Sequence, residues 1–306
     1  MDTHRAPDLR AALAAGPLAL DGGLSEQLER QGCDLAGELW TARLLADEPR
    51  QLEMAHAAYV RAGARVLITG SYQASFEGFA RHGVARAEAE RLFADSVRLA
   101  RRAAARAAPG RPVWVAASVG PYGAVLGNGG EYRGRYGMSE AELVRFHRPR
   151  VAALAAAGPD VLALETVPDV VEARALLRAA EGCGIPVWLS YTVAGGKTRA
   201  GQPLADAFAV AAGNDQVLAV GVNCCDPAEV GPAVRLAVAA TGKPAVAYPN
   251  SGERWDAAAG GWQGPSVFSA RAAADWHRAG AGLIGGCCRV GTARIAELAA
   301  VLGVGA

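Results

Sequence analysis

The sequence contains the stretch Gln216-Val217-Leu218-Ala219-Val220-Gly221-Val222-Asn223-Cys224, a short apolar run that ends on two polar, reactive side chains. Its length and its valines indicate a β-strand. The strand would therefore place Asn223 and Cys224 at its carboxyl end.

Similar short runs recur along the chain, and each is followed by a segment with apolar residues at helical spacing, as in residues 85–105. Strands that alternate with helices imply parallel βαβ units. Eight such units in 306 residues favour an α/β fold of the (β/α)₈ TIM type, with a doubly wound open sheet as the alternative. The candidate strands are Leu18–Leu20, Arg65–Thr69, Val113–Ser118, Val161–Leu164, Val187–Tyr191, Val217–Val222, Ala245–Tyr248 and Gly282–Ile284.

Polar or reactive residues follow nearly every candidate strand. In a barrel, the carboxyl ends of the strands form one ring around the active site. In an open sheet, strand ends at opposite edges lie too far apart to share one small substrate, so this pattern also favours the barrel. The residues are Asp21, Ser71, Ser118, Glu165, Ser190, Asn223 with Cys224, Asn250, and Cys287 with Cys288.

The composition argues against several classes of protein. The net charge is +1 without a basic stripe, so nothing indicates nucleic-acid binding. No apolar stretch reaches the roughly 18 residues of a membrane span, and the amino terminus lacks the apolar core of a signal peptide. We expect a cytoplasmic protein. Its six cysteines are too few for a disulfide scaffold of this size, and in a reducing compartment clustered cysteines indicate metal binding or catalysis.

Three cysteines follow two of the candidate strands. Cys224 ends one, and the pair Cys287-Cys288 comes after the strand that leads into Gly285-Gly286. Three thiolates with one open coordination position are typical of a catalytic zinc site, since structural zinc sites are closed by four ligands. Such a site suits a substrate that is itself a thiol. Buried structural thiols and a vicinal disulfide are the alternatives, and Cys225 is interpreted as a packing neighbour of the ligands.

Motifs along nearly the whole chain carry a resemblance to a known family. They are Asp21-Gly22-Gly23-Leu24, Leu39-Trp40-Thr41-Ala42-Arg43, Ser71-Tyr72-Gln73-Ala74, Ser118-Val119-Gly120-Pro121-Tyr122-Gly123, Glu131-Tyr132-Arg133-Gly134, His147-Arg148-Pro149-Arg150, Leu164-Glu165-Thr166-Val167-Pro168, Gly221-Val222-Asn223-Cys224, Tyr248-Pro249-Asn250-Ser251-Gly252-Glu253 and Gly285-Gly286-Cys287-Cys288-Arg289. In this order, with the three cysteines, the sequence resembles the homocysteine S-methyltransferase family. The resemblance implies a single homocysteine-binding barrel domain over residues 1–306 and a zinc ion held by Cys224, Cys287 and Cys288.

The reaction that the resemblance implies is methyl transfer from a sulfonium donor to homocysteine, giving methionine. A free thiol with a pKa near ~8.5 is mostly protonated at neutral pH, whereas a zinc-bound thiol is deprotonated. S-methylmethionine is the favoured donor, and its partner substrate is also a small molecule. Alternatives are S-adenosylmethionine or betaine as donor, and a zinc-binding barrel without catalysis. The oligomeric state is left open.

Glu165, Asp21 and two glycines are the candidate contacts to homocysteine. Glu165 ends an apolar strand, where a carboxylate is costly unless it is paired, and the resemblance supports capture of the substrate's ammonium group. Asp21 is interpreted as lying near that ammonium or beneath it, with a helix N-cap as the alternative. The amides of Gly22 and Gly23 can come close to a carboxylate because glycine lets the backbone approach a ligand.

The remaining candidate contacts are less specific. Asn223 is expected to orient a cysteine ligand or the substrate. Trp40 and Tyr72 are candidate walls for the sulfonium through cation–π attraction, although packing under a lid explains them equally well. Gln73 and Ser118 are candidate hydrogen-bond partners of the donor. The long loop from Gly120 to Gly137 is interpreted as that lid, and His56, His82 and His277 are expected on solvated helix faces.

Overall fold

The computed structural model describes residues 8–35, 40–256 and 261–304. One sheet of eight parallel strands forms its centre. In chain order the strands are β1 (Leu18–Ala19), β2 (Val66–Ile68), β3 (Trp114–Val119), β4 (Val161–Val167), β5 (Val187–Tyr191), β6 (Val217–Asn223), β7 (Ala245–Tyr248) and β8 (Ala281–Ile284).

The order of the strands shows that the sheet curves into a barrel. Each strand pairs with its neighbours in sequence, and β1 pairs with β8. A single parallel bridge between Leu20 and Val66 brings β1 next to β2. The Asp21 amide donates to Val66 O at 3.0 Å in the same place, which nearly closes the ring. The (β/α)₈ prediction is confirmed, and the open-sheet alternative is wrong because that topology leaves two edges far apart.

Helices cover the outside of the barrel. The helix Glu140–Ala156 begins with a capping box, in which Ser139 Oγ accepts from the Glu142 amide and Glu142 accepts from the Ser139 amide. The helices of four or more residues are Leu9–Ala15, Leu24–Arg30, Leu44–Asp47, Pro49–Arg61, Phe76–Arg81, Arg86–Ala107, Tyr122–Val125, Glu140–Ala156, Val170–Ala180, Leu204–Ala209, Pro227–Thr241, Ala272–Arg278 and Thr292–Leu302. None of these described helices is long and apolar enough to cross a membrane.

Two layers of buried apolar side chains flank the sheet. The larger layer lies between the strands and the helices. The smaller one includes Trp114, Trp188 and Leu218 from three strands and comprises the inward-facing side chains, so the barrel is filled rather than hollow.

The predicted strand ends differ from the structure in one place that matters. β4 continues three residues beyond Leu164, and its register against β5 shifts between Leu164 and Val167. Within this irregular stretch Thr166 has a φ of 56°, in the left-handed region that β-branched residues rarely adopt. Glu165 thus lies inside the strand, not after it.

The prediction of solvated histidines is wrong at one of the three positions. His56 in the helix Pro49–Arg61 is fully buried, and its ring nitrogens have no hydrogen-bond partner among the residues that the structure describes. Burial lowers its pKa to about 4, so the ring is neutral. His82 and His277 are exposed as expected.

Candidate active site

Three free thiols meet at the carboxyl rim of the barrel. The sulfurs of Cys224 and Cys287 are 2.7 Å apart, and those of Cys287 and Cys288 are 3.9 Å apart. All three sulfurs lie within 4.8 Å of one another, a spacing at which one metal ion can contact all three. They are unbonded, so the vicinal disulfide is not present.

The backbone amides of these cysteines donate hydrogen bonds to residues 248–250, at the end of β7, which hold the cysteines in place. The Cys224 amide donates to Tyr248 O at 3.1 Å, and the Cys287 amide donates to Pro249 O at 2.6 Å. The Cys288 amide donates to Asn250 Oδ1 at 3.2 Å. Because one short segment orients all three residues, the two cysteine motifs share a single support.

Glycine is required around the cysteine pair because the backbones approach closely. A Cβ at Gly286 would lie 2.3 Å from a methyl group of Val290, and one at Gly23 would lie 2.6 Å from Cys287 O. Real Cβ atoms do not come this close to other atoms. The glycines of both motifs therefore let β1 and β8 place Cys287 at the rim.

The thiols cannot all be anionic on their own. Hydrogen bonds from Cys224 and Cys287 hold the pKa of Cys288 well below its usual range. The pKa of Cys287 is raised, first by its hydrogen bonds with the other two thiols and then by burial. A set of three thiolates therefore needs a cation among the sulfurs, and a soft divalent metal fits this donor set.

Cys225 is separate from this cluster. It is buried in the apolar layer between sheet and helices, and burial raises its pKa. The structure thus places it among packing residues.

A cavity of about 730 Å³ opens above the three thiols. It is lined by the carboxyl ends of several strands and by the loop 120–137, where Gly130–Tyr132 forms a 3₁₀ turn. Among the described lining residues, those that carry a charge are Glu131, Glu165, Arg199 and Glu253.

Glu165 lies in the wall of this cavity and is 5% exposed. Its carboxylate accepts a short hydrogen bond from Ser118 Oγ. Burial, aided by the nearby Cys288 thiolate and opposed by the hydrogen bond from Ser118, raises the pKa of Glu165 to about 7. A buried carboxylate with a single neutral partner can accept a cationic group from a ligand. Ser118, predicted to contact the donor, lines the cavity and also orients Glu165.

Asp21 lies beneath the described lining of the cavity. Its carboxylate accepts hydrogen bonds from the Ile68 amide at 2.8 Å and from Tyr248 OH at 3.0 Å. Gly23 is the residue at the helix N-cap, so the N-cap interpretation of Asp21 is wrong. The side chain ties β1 to β2 and β7 under the site, while Gly22 and Gly23 line the cavity above it. The Gly23 amide is engaged by Val290 O at 3.0 Å.

The side-chain amide of Asn223 makes three hydrogen bonds inside the protein. Its Oδ1 accepts from the Thr166 amide at 2.7 Å and from Ser190 Oγ at 2.8 Å. Its Nδ2 donates to Thr166 Oγ1 at 2.7 Å. Asn223 therefore fixes the left-handed Thr166 in the cavity wall, and Asn223 itself is not among the described residues that line the cavity.

The remaining predicted contacts are divided. Tyr72 lines the cavity, and its ring packs where a side chain at Gly120 would otherwise lie, 2.6 Å from a Cβ built there. Gln73 is buried beside the short helix Tyr122–Val125 of the loop 120–137. Its side chain donates to Ala124 O at 3.3 Å, so it supports that loop. The side chain of Trp40 lies outside the part of the chain that the structure describes.

Three charged residues of the cavity were not predicted from the sequence. Glu131 and Glu253 belong to motifs that carry the family resemblance but received no role, although the position of Glu131 in the long loop was a usable signal. Arg199 follows the hairpin Val193–Ala194 and Lys197–Thr198, and no pattern in the sequence connects it with the cysteines. These residues come together only through the fold.

Comparison with known proteins gives one consistent result. Residues 18–302 match the family described as homocysteine S-methyltransferase. The chain is 41% identical over 295 residues to homocysteine S-methyltransferase YbgG of Bacillus subtilis, with 92% of this chain and 93% of that protein covered. It is 42% identical over 292 residues to homocysteine S-methyltransferase of Escherichia coli, with 92% and 94% covered. Among solved structures, the metallated form of the homocysteine methyltransferase MmuM from Escherichia coli superimposes with a TM-score of 0.85 at 41% identity, covering 96% of this chain and 99% of that one.

Proposed function

Because this chain belongs to the homocysteine S-methyltransferase family, we propose that it transfers a methyl group from S-methylmethionine to the thiol of homocysteine. The observation that carries this proposal is the pairing, in one cavity, of a three-thiol cluster with the buried carboxylate of Glu165. The cluster suits a thiol substrate, and the carboxylate suits its ammonium group.

Zinc is the metal that we propose for Cys224, Cys287 and Cys288. Three cysteine sulfurs form a soft donor set, and their number leaves the fourth position of a tetrahedral ion open. When bound, zinc supplies the Lewis acidity that keeps a thiol ligand deprotonated at neutral pH. The residues of β7 that hold the cysteine backbones keep the donor set preorganised.

The protein residues bind and align the substrates. Glu165, oriented by Ser118, would accept the ammonium group of homocysteine, and Gly22 lets the carboxylate approach the backbone. Tyr72 would face the sulfonium, and Trp40 is retained as a second wall from the sequence alone. Holding two reactants in line supplies much of the rate enhancement of such a transfer.

The reaction needs no general acid. A lone pair on the homocysteine sulfur forms the new S–CH₃ bond. The old S–CH₃ bond breaks, and its electrons remain on the donor sulfur, which leaves as a neutral thioether. With S-methylmethionine as donor, both products are methionine. The cavity offers carboxylates to a cationic donor, which favours a sulfonium.

Two further points complete the proposal. We propose that residues 1–306 work as one homocysteine-binding domain. We also propose a cytoplasmic location, because a reducing compartment keeps the cysteines available for metal.

The test is methionine formation by reduced, zinc-loaded protein from homocysteine with S-methylmethionine, S-adenosylmethionine and betaine in parallel. The proposal predicts turnover that is fastest with S-methylmethionine. Faster turnover with either of the other donors would overturn the donor assignment. Zinc binding without methionine from any donor would overturn the activity and favour a non-catalytic zinc site.

A further inference from the structure

The cavity contains more charged side chains than the binding of one amino acid requires. Glu253 is engaged within the protein, since Ser251 Oγ donates to it at 2.8 Å and Arg289 lies 3.5 Å from it. Glu165 is assigned above to homocysteine. Among the described lining residues, Glu131 and Arg199 are the charged side chains that remain.

Glu131 presents an unsatisfied carboxylate oxygen. The residue is half-buried, and its Oε2 has no hydrogen-bond partner in the described parts of the chain. Burial raises the pKa of Glu131, against the lowering effects of its own backbone amide and of the nearby Arg133, so these two groups do not fully offset the cost of burying the charge. A buried polar atom of this kind requires an explanation, and a ligand cation is one.

The backbone around Glu131 is held firmly. The 3₁₀ turn Gly130–Tyr132 packs against the short helix Tyr122–Val125, so closely that a Cβ at Gly123 would lie 2.4 Å from the Gly130 carbonyl carbon. This packing fixes the backbone from which the Glu131 side chain enters the cavity.

Arg199 lies beside this turn. Its guanidinium carbon is 5.4 Å from the centre of the Tyr132 ring, the residue next to Glu131. Its Nε donates a long hydrogen bond of 3.4 Å to Thr192 Oγ1. The two terminal nitrogens of the guanidinium group can therefore bind an anion. An anion-binding group and a cation-binding group thus lie together on the lid side of the cavity.

We propose that Glu131 and Arg199 form a second amino-acid subsite, which holds the ammonium and carboxylate groups of the methyl donor. This inference rests on the proposed function, because that reaction brings two amino acids into one cavity. The pair of charges selects donors that carry an α-amino-acid group. Betaine and simple sulfoniums lack one or both of these charges, so the subsite discriminates against them.

The experiment uses three sulfonium probes with the zinc-loaded enzyme. S-methylmethionine carries both groups. Dimethylsulfoniopropionate lacks the ammonium and has its carboxylate one carbon closer to the sulfonium, and (3-aminopropyl)dimethylsulfonium lacks the carboxylate. The measurements are kcat/KM for S-methylmethionine and the inhibition constants of the other two against it. Glu131→Gln and Arg199→Gln are compared with Glu297→Gln and Arg294→Gln, which remove an exposed ion pair on the helix Thr292–Leu302.

Each variant should lose binding only to compounds that carry its partner group. Glu131→Gln should lower kcat/KM for S-methylmethionine about 10- to 100-fold and weaken the binding of the aminopropyl probe. The inhibition constant of dimethylsulfoniopropionate should change little. Arg199→Gln should lower kcat/KM for S-methylmethionine and weaken the binding of dimethylsulfoniopropionate. It should leave the inhibition constant of the aminopropyl probe unchanged. KM for homocysteine and the control variants should stay at wild-type values.

A structural role would give a different pattern. Equal losses for all probes, or a raised KM for homocysteine, would overturn the subsite, as would a wild-type enzyme that binds the three compounds equally. Glu131→Gln should also unfold at the same or higher urea concentration than the wild type, because it removes a buried, unpartnered carboxylate. Failure of the proposed function is distinguishable, since the wild type would then form no methionine from any donor.

Discussion

Replacing Asn223 by alanine should destabilise the protein although the residue is not among those that line the cavity. The substitution removes three buried hydrogen bonds, two with Thr166 and one with Ser190, each 2.7 or 2.8 Å long. It also frees the left-handed backbone of Thr166 from its anchor. The substitution leaves three buried partner groups unpaired, and each costs about 1–3 kcal/mol, so we expect a loss of about 3 kcal/mol or more.

The assay is equilibrium unfolding in urea, followed by tryptophan fluorescence. The control is Asn214→Ala, in the segment that precedes the same strand β6. Asn214 Oδ1 accepts one half-buried hydrogen bond from the Gln216 amide, so this change should cost about 1 kcal/mol or less. If Asn223→Ala does not fold, Ser190→Ala removes one of the three bonds and should cost about 1 kcal/mol.

A result within about 1 kcal/mol of the control would refute this reasoning, because that is the value of a single ordinary hydrogen bond. It would mean that Thr166 keeps its conformation without Asn223. The activity of the folded variant gives a second check, since a displaced Thr166 also shifts the neighbouring Glu165. We expect KM for homocysteine to rise.

Two further substitutions test the site. Gly23→Ala should lower the affinity for zinc, measured by chelator competition, because its Cβ would push on Cys287 O at 2.6 Å; Gly231→Ala, in an open helical position, should leave that affinity unchanged. KM for homocysteine should show a step near pH 7, rising at lower pH as the Glu165 carboxylate becomes protonated, and Glu165→Gln should have a higher KM without that step. Because burial raises this pKa, the contribution of Glu165 to stability is present at low pH and lost as pH rises through about 7, so Glu165→Gln should be more stable than the wild type above that pH. The same step near pH 7 in Glu165→Gln, or lost zinc affinity in Gly231→Ala, would contradict these assignments.

The eight strands were predictable because each is a short apolar run bounded by turn residues. Two of them, Val187–Tyr191 and Ala245–Tyr248, have the predicted bounds. The thiol cluster was also predictable, since parallel strands direct their carboxyl ends to one rim and two cysteine motifs follow such strands. Local pattern and topology were sufficient for these features.

The hydrogen-bond partners inside the site could not be read from the sequence. A polar residue at a strand end can face a ligand or its own scaffold, and Asp21 and Asn223 both face the scaffold. Which case applies depends on the register between strands, as at the irregular stretch of β4 around Thr166. Arg199 reaches the cavity from a hairpin that carries no periodic signal.

The most direct test of the account is the sulfur coordination of zinc, measured by X-ray absorption on reduced protein before and after addition of homocysteine. We predict three sulfur neighbours from Cys224, Cys287 and Cys288, rising to four with homocysteine, with the same result for Cys225→Ala and loss of zinc in Cys287→Ala. A sulfur count that homocysteine leaves unchanged, or a Cys287→Ala protein with full zinc and normal turnover, would contradict the central claim.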